Sequence, residues 1–319
     1  MKIIITGFSG FVAEYFLEYL DTVEKGCTVL GLSRSIPGFD FNKFSNLKVE
    51  FKAIDLLDRN AVEDIIDNFK PEYLLHLASV SSVAQSWKTP YDSFVNNTNI
   101  FLNIIEQIRI QNIKCRILSV GSSEEYGEVD EALLPLTEEH LTKPASPYAV
   151  ARISQEMISK IYAEGYNMDI ILTRSFNHIG PRQKEHFVIS SFAKQLVALS
   201  KNNNADKKIT TGNLNIVRDF LDVRDVVKAY YILLKKGTSG QVYNICSSKG
   251  TLLVDVVKKM SDILNIEVQM ELNPSLVRPN ENKKIIGSYE KIKGEFGWEP
   301  RISLGKSLED IIVYWATNN

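Results

Sequence analysis

The chain has 319 residues, 44% hydrophobic and 24% charged, with a formal net charge of -2. That length can bury a large core and has room for two domains, and the near balance of charge excludes a general nucleic-acid or anionic-membrane binder. Cys27, Cys115 and Cys246 are far apart with no paired spacing, which argues against a disulfide framework or a zinc site, so no metal is expected.

Met1-Lys2 leads directly into Ile3-Ile4-Ile5, without a basic segment, apolar run and cleavage site, and no apolar run reaches the ~18 residues of a spanning helix. A cytoplasmic protein is expected. Residues 2–6 read as a buried strand, Gly7-Phe8-Ser9-Gly10-Phe11-Val12-Ala13 as a tight turn, and Tyr15, Phe16, Leu17 and Leu20 as the apolar face of a helix. A strand, a glycine turn and a helix N-terminus form a diphosphate site, because the backbone can approach closely and the helix offers free N–H groups. The spacing Gly-x-x-Gly-x-x-Ala departs from the standard Gly-x-Gly-x-x-Gly. A plain strand–helix connection competes with the nucleotide reading, which gains from the turn's place at the head of an alternating series.

Further strands are predicted at 28–33, 47–54, 73–77, 115–120 and 169–174, with helices at 60–69, 94–110 and around 147–162. Such alternation implies an α/β fold, a Rossmann-type doubly wound parallel sheet whose ligands bind outside the carboxyl ends of the strands. The glycine turn, Asp55, His76-Leu77-Ala78-Ser79, Ser122 and Ser175-Phe176-Asn177 all fall at such ends. After Pro181 the rhythm changes to helices at 189–200, 222–234 and 254–264, short strands at 208–211, 217–220 and 242–246, and a final amphipathic helix through Leu308, Ile311, Ile312 and Trp315. Asp222 reads as an N-cap, with Asp225 in the capping-box position. The expected division is a dinucleotide-binding domain at 1–176, with 221–246 returning to it, and a smaller mixed α+β substrate domain at 177–319.

Ser122 lies at a predicted strand end and Tyr148 in the first turns of a predicted helix. A hydroxyl and a phenol placed this way can hold one carbonyl or alcohol oxygen and move a proton to it. Arg152, four residues on, shares the helical face of Tyr148, and its charge favours phenolate.

With Thr6-Gly7-x-x-Gly10, Ser122 and Tyr148 in this order, the chain resembles the extended short-chain dehydrogenase/reductases acting on nucleotide sugars, over essentially its whole length. Gly121-Ser122-Ser123-Glu124-Glu125-Tyr126-Gly127, Ser146-Pro147-Tyr148, Arg174-Ser175-Phe176-Asn177-His178-Ile179-Gly180-Pro181 and Arg218-Asp219-Phe220 are similar to segments of the GDP-4-keto-6-deoxy-D-mannose reductases, and next to those of the GDP-mannose 4,6-dehydratases. Gly212-Asn213-Leu214 and Arg278-Pro279-x-Glu281 are similar to the GDP-sugar members in particular.

The resemblance implies that Tyr148 exchanges a proton with the sugar oxygen, that Ser122 hydrogen-bonds that oxygen, and that hydride moves to or from a nicotinamide. The implied activity is reduction of the 4-keto group of a GDP-4-keto-6-deoxyhexose or a related GDP-4-keto sugar. Oxidation at C4, 4,6-dehydration and a non-catalytic binding role are the alternatives. The family has lysine where this chain has Arg152, and the two are not equivalent. Glu124, two residues after Ser122, has the spacing of the acid that dehydratases use. Expected cofactor contacts are Gly7, Phe8, Ser9, Gly10, Phe11, Val12, Ser33, Arg34, Asp55, Leu56, Leu77, Ala78, Ser79, Asn97, Tyr148, Arg152 and Phe176. The strand 28–33 ends without an acid for a ribose diol, and Ser33 and Arg34 suit a 2′-phosphate, so NADP is favoured over NAD. Expected substrate contacts are Ser81, Ser82, Ser122, Ser123, Glu124, Asn177, Arg218, Arg278 and Glu281, with the arginines on the diphosphate and Trp87 near the sugar. His76 and His178 read as packed histidines. The helices 94–110 and 147–162 are expected, by resemblance, to form a homodimer through a four-helix bundle.

Overall fold

The structure, a computed structural model, describes residues 1–202, 207–277 and 280–318. The strands are β1 (Lys2–Thr6), β2 (Cys27–Ser33), β3 (Leu47–Ala53), β4 (Tyr73–His76), β5 (Arg116–Ser122), β6 (Asp169–Ser175), β7 (Asn177–Ile179), β8 (Lys208–Thr211), β9 (Val217–Asp222), β10 (Val242–Ile245), β11 (Gly250–Leu252) and β12 (Gln269–Leu272). The helices are α1 (Phe11–Val23), α2 (Arg59–Phe69), α3 (Val83–Lys88), α4 (Pro90–Phe94), α5 (Ile100–Ile110), α6 (Pro147–Tyr166), α7 (Val188–Ser200), α8 (Val223–Lys236), α9 (Leu253–Leu264), α10 (Glu290–Phe296) and α11 (Leu304–Thr317).

Among the described residues the main sheet has seven parallel strands in the order β10-β6-β5-β4-β1-β2-β3. Its direction of growth reverses between β1 and β4, and the crevice at that reversal is where doubly wound sheets bind nucleotides. Ile3, Ile4 and Ile5 of β1 are buried because both faces of the sheet are covered. On one face α1 and α8 pack Phe16, Leu20, Tyr230 and Leu233 beneath the sheet; on the other, α2 and α5 contribute Val62, Ile66, Phe101 and Ile105. The second unit is built from β7, β9 and β11, the β8–β12 pair, and α7, α9 and α11, with its own core around Phe192, Leu196, Val256, Met260 and Leu308.

Two local expectations change. The helix predicted over 94–110 begins instead at Pro90 and contains a π-helical turn, Val95–Asn99. The wider turn carries Asn97 and Thr98 inward, where Thr98 Oγ1 donates to the Ala151 carbonyl on α6 at 3.1 Å. Asp222 does cap α8, accepting the Arg224 N–H at 2.9 Å, but Asp225 does not return to it. Its Oδ2 accepts the N–H groups of Arg301 and Ile302 at 2.8 and 2.7 Å, because the segment leading to α11 passes over that turn.

Candidate active site

The site grows from the ends of β1, β4, β5 and β6. After β1 the chain turns at Gly7, whose φ of 66° is in the left-handed region. A Cβ there would lie 2.8 Å from the Ala78 nitrogen, so glycine is required for the two loops to touch. Thr6 ties the same loops together. Its Oγ1 accepts the N–H groups of Leu77 and Ala78 at 3.1 Å each, and lies 3.0 Å from His76 Nδ1. With both acceptor directions used, the Thr6 hydroxyl proton goes to Nδ1, which places the ring proton of His76 on Nε2. Burial, helped by the charge of Arg152, pushes His76 down to about 3, so the ring is neutral.

Above these loops lies a cavity of about 1320 Å³. Helix α1 points its N-terminus at it, and its N-cap, Gly10, offers no side-chain cap, which leaves first-turn N–H groups for an anion. A dinucleotide diphosphate therefore fits the turn Gly7, Ser9, Gly10, Phe11 and Val12. Ser33, Arg34, Asp55, Leu56, Leu77, Ala78, Ser79 and Phe176 line the same cavity. Asp55 also holds its own turn through the Leu57 N–H at 3.0 Å. At the rim Arg34 Nη1 donates to Asn96 Oδ1 at 3.3 Å, and Ser35 donates to Ser9 at 3.1 Å.

Phe8 and Asn97 are elsewhere. The Phe8 ring stacks among Phe39, Phe41 and Phe51, and its N–H is spent on the Leu32 carbonyl. Asn97 is buried under the 78–81 loop, accepting the Val80 N–H at 3.0 Å and donating to the Ser93 carbonyl at 2.6 Å. Both shape the cavity from behind.

Ser122, Ser123, Glu124, Tyr148 and Arg152 share one wall of that cavity. Ser122 ends β5 and is the N-cap of a short 3-10 turn, Ser123–Tyr126. Its Oγ accepts the Glu124 N–H at 3.2 Å, so its own proton remains for a ligand. Tyr148 is set at the start of α6 by the cap Ser146, which accepts the Ala149 N–H at 3.1 Å, and by Pro147 in the first turn. Its hydroxyl takes no hydrogen bond from the described residues. The Arg152 guanidinium is buried and sits 5.7 Å from the centroid of the Tyr148 ring. It donates from Nη2 to the Val120 carbonyl at 2.5 Å and from Nη1 to Gln155 Oε1 at 2.9 Å, while Nε has no protein partner among the described residues.

Ser81, Ser82 and Asn177 line the main cavity, with the Ser82 hydroxyl also capping α3. Arg218, Glu281 and Trp87 line a narrow adjoining cleft, and Val83 and Glu124 belong to both spaces. Arg218 donates from Nη1 to the carbonyls of Asn282 and Val217 at 2.7 and 3.0 Å. Glu281 keeps a buried Oε2 without a hydrogen bond among the described residues, an acceptor suited to a sugar hydroxyl. Arg278 lies outside the described residues.

Lys43, Arg182 and Asp40 also line the cavity and were not expected there. Arg182 stacks 3.8 Å over the Tyr15 ring and pairs with Glu14 and Glu18 of α1 at 2.7 Å each. The signal was the spacing of Glu14 and Glu18, one helical turn apart and facing a cation-bearing loop. Asp40 is occupied in capping the turn Phe41–Lys43. Among the described residues no group of side chains could hold a metal ion, and no helix is long and apolar enough to cross a membrane.

The chain is 29% identical to GDP-6-deoxy-D-mannose reductase of Pseudomonas aeruginosa, over 99% of this chain and 97% of that protein. Among solved structures it is similar to RMD from Pseudomonas aeruginosa complexed with NADPH (TM-score 0.86, 29% identity, 100% of this chain and 99% of that one). It is also similar to UDP-glucose 4-epimerase of Thermotoga maritima with UDP-glucose (TM-score 0.89, 27% identity, 99% of each chain). Residues 4–311 match the family model described as GDP-mannose 4,6 dehydratase, and the chain belongs to that family.

Proposed function

We propose that this protein is an NAD(P)-dependent oxidoreductase that reduces the 4-keto group of a GDP-linked 4-keto-6-deoxyhexose or a closely related GDP-4-keto sugar. The observation that carries the reading is the shared wall of Ser122 and Tyr148, two unspent hydroxyls, on a cavity headed by a diphosphate-binding turn. The likeness to a GDP-6-deoxy-D-mannose reductase supplies the substrate class. A bound nicotinamide would supply the hydride. Ser122 orients the carbonyl by donating its hydroxyl proton, and Tyr148 delivers a proton to the oxygen as charge develops there. Arg218 and Glu281 in the cleft beside Glu124, together with Asn177 of the main cavity, hold the nucleotide end of the substrate. Residues 1–176 with 221–246 form the cofactor domain and the remainder the substrate domain.

Within the NAD(P) class the preference is for NADP. Among the described residues neither Arg34 nor Ser35 pairs with a carboxylate, and Asp40, which lines the same cavity, is spent on Asn42. Arg34→Ala should raise the KM for NADPH more than that for NADH. The decisive test is the fall in NADPH absorbance when a GDP-4-keto-6-deoxyhexose is added; no consumption with any such sugar would overturn the reading. Glu124 on the same wall supports dehydration as a second reading. That reading requires conversion of GDP-mannose without added reductant, abolished in Glu124→Gln.

The protein is further proposed to be a homodimer. Val150, Met157 and Ile161 form one exposed apolar face of α6, and Tyr91 and Phe94 are exposed on the neighbouring α4. Sedimentation of Met157→Glu together with Ile161→Glu should give a monomer.

A further inference from the structure

The carboxyl group of Glu125 stands where the elements carrying the two reactive hydroxyls meet. Glu125 is completely buried. Its Oε1 accepts the main-chain N–H of Ser122 at 2.7 Å, closing the turn in which Ser122 Oγ accepts the Glu124 N–H. A Cβ on Gly121 would lie 2.6 Å from this Oε1 and 2.3 Å from the Thr173 carbonyl, so only glycine leaves room for the carboxyl to dock. The site is built for it.

The second oxygen is the unusual one. Oε2 receives no hydrogen bond from any described donor. Arg174 of β6 approaches it only to 3.8 Å, because its guanidinium is committed to Glu156 of α6 through Nε at 2.9 Å and Nη2 at 2.8 Å. The Glu156 carboxyl stands beside it, since Arg174 Nε lies 3.8 Å from Glu125 Oε2 and 2.9 Å from Glu156 Oε2. Two buried carboxyl groups in contact cannot both be ionised at neutral pH without strong repulsion. A proton on Glu125 Oε2, donated to Glu156, removes that repulsion and satisfies the orphaned atom. Glu156 lies two helical turns after Tyr148 on the same face of α6.

We propose that Glu125 is a positioning residue: its hydrogen bonds to the Ser122 N–H and to the Glu156 carboxyl hold the Ser122 end of β5 in register with the helix that carries Tyr148. The surrounding charges agree on where the proton sits. Burial, with Glu156 alongside, pushes Glu125 well above the ordinary carboxyl range. Burial acts the same way on Glu156, but hydrogen bonds from Arg174, Glu125 and Lys160 outweigh it and keep Glu156 ionised. Tyr126 contributes its ring face to Arg174 at 4.7 Å, and the Glu138 carbonyl accepts from Arg174 Nη1 at 3.3 Å, so the guanidinium is held from several sides.

The kinetic arm of the test rests on the activity proposed above; the spectroscopic arm does not. Glu125→Gln keeps an oxygen for the Ser122 N–H and an N–H for Glu156, so it copies the un-ionised acid. Glu125→Leu removes both. We expect Glu125→Gln to hold kcat within about threefold of the unaltered enzyme and Glu125→Leu to lower kcat about 100-fold, as misplaced reacting groups do. The KM for NADPH should change less than about threefold in either, since the diphosphate turn is untouched. The infrared spectrum of the unaltered protein at neutral pH should contain the carbonyl stretch of an un-ionised carboxylic acid, and Glu125→Gln should lack it. Equal losses in kcat for the two variants, no loss in either, or absence of the band would overturn the inference. If the unaltered protein reduces no 4-keto sugar, the proposed activity fails, and the infrared band then decides the state of Glu125 by itself.

Discussion

The guanidinium of Arg152 donates to the main-chain carbonyl of Val120 at 2.5 Å, a hydrogen bond that joins α6 to β5 two residues before Ser122. Together with the bond to Gln155, whose Nε2 continues to Ser119 Oγ at 2.8 Å and from there to Ser159 at 3.0 Å, it makes Arg152 part of a buried polar chain. A lysine has one point of charge where this site uses two arms of a fork. Arg152→Lys should therefore not raise turnover, and it leaves either Val120 or Gln155 without its donor. The expected cost is about 1–3 kcal/mol of stability, read by urea unfolding, with weaker cofactor binding read by fluorescence. A gain in both turnover and stability would contradict this account.

Tyr148 and Ser122 separate binding from chemistry. The Tyr148 hydroxyl has no partner among the described residues, whereas the Ser122 hydroxyl also caps its own turn by accepting the Glu124 N–H. Tyr148→Phe should lower kcat about 100-fold or more, within the usual range for loss of a general acid. The dissociation constant for NADPH, measured by calorimetry, should move far less. Comparable losses in both quantities would point to a damaged fold.

His76 gives the protein a defined weakness in acid. Its pKa is depressed in the folded state to about 3, chiefly by burial, from an ordinary value of 6.5. A depressed pKa contributes stability that is present above 6.5 and is lost as pH falls from there toward 3, because the unfolded chain takes up the proton first. His76→Asn retains an acceptor for the Thr6 hydroxyl and does not titrate. Between pH 7 and 5 the unaltered protein should lose on the order of 2 kcal/mol more than this variant. Unfolding free energies at the two pH values measure the difference, and parallel curves would refute the assignment.

Asp219 joins the two units of the fold. It is completely buried, and its carboxylate accepts the N–H and hydroxyl of Ser247 at 2.7 and 2.6 Å, the Ser248 N–H at 3.0 Å and the Gly287 N–H at 3.2 Å. Every contact is a donor facing an acceptor. Asp219→Asn turns an NH2 group against backbone N–H donors and should cost about 3 kcal/mol. Thermal melting should show the loss, with the cleft at Arg218 disturbed as well, because Arg218 is its neighbour on β9.

Much of the architecture was legible from period and punctuation. Alternating apolar strands and amphipathic helices defined the sheet up to Ser175, because a strand covered on both faces is largely apolar, as Ile3-Ile4-Ile5 of β1 are. An aspartate cap, Asp222, marked the start of α8. The π-helical turn after Phe94 was not legible, since the residues that cause it, Asn97 and Thr98, become informative only once the 78–81 loop and α6 lie against them. Asp225 misled for a similar reason: a local cap and a distant backbone segment compete for one carboxylate, and the distant one won.

The stretch from Ser122 to Arg152 shows the division most clearly. The amino-acid sequence by itself determined that Ser122 ends a buried strand, that Tyr148 opens a helix and that a cation follows one turn later, because periodicity and capping are local. Only the tertiary structure decided what surrounds them. Arg152 is tied to Val120 and Gln155, and Glu125 is enclosed with Glu156 and Arg174. Burial and charge pairing set the protonation and orientation of such groups, and both are properties of neighbours that lie far away along the chain.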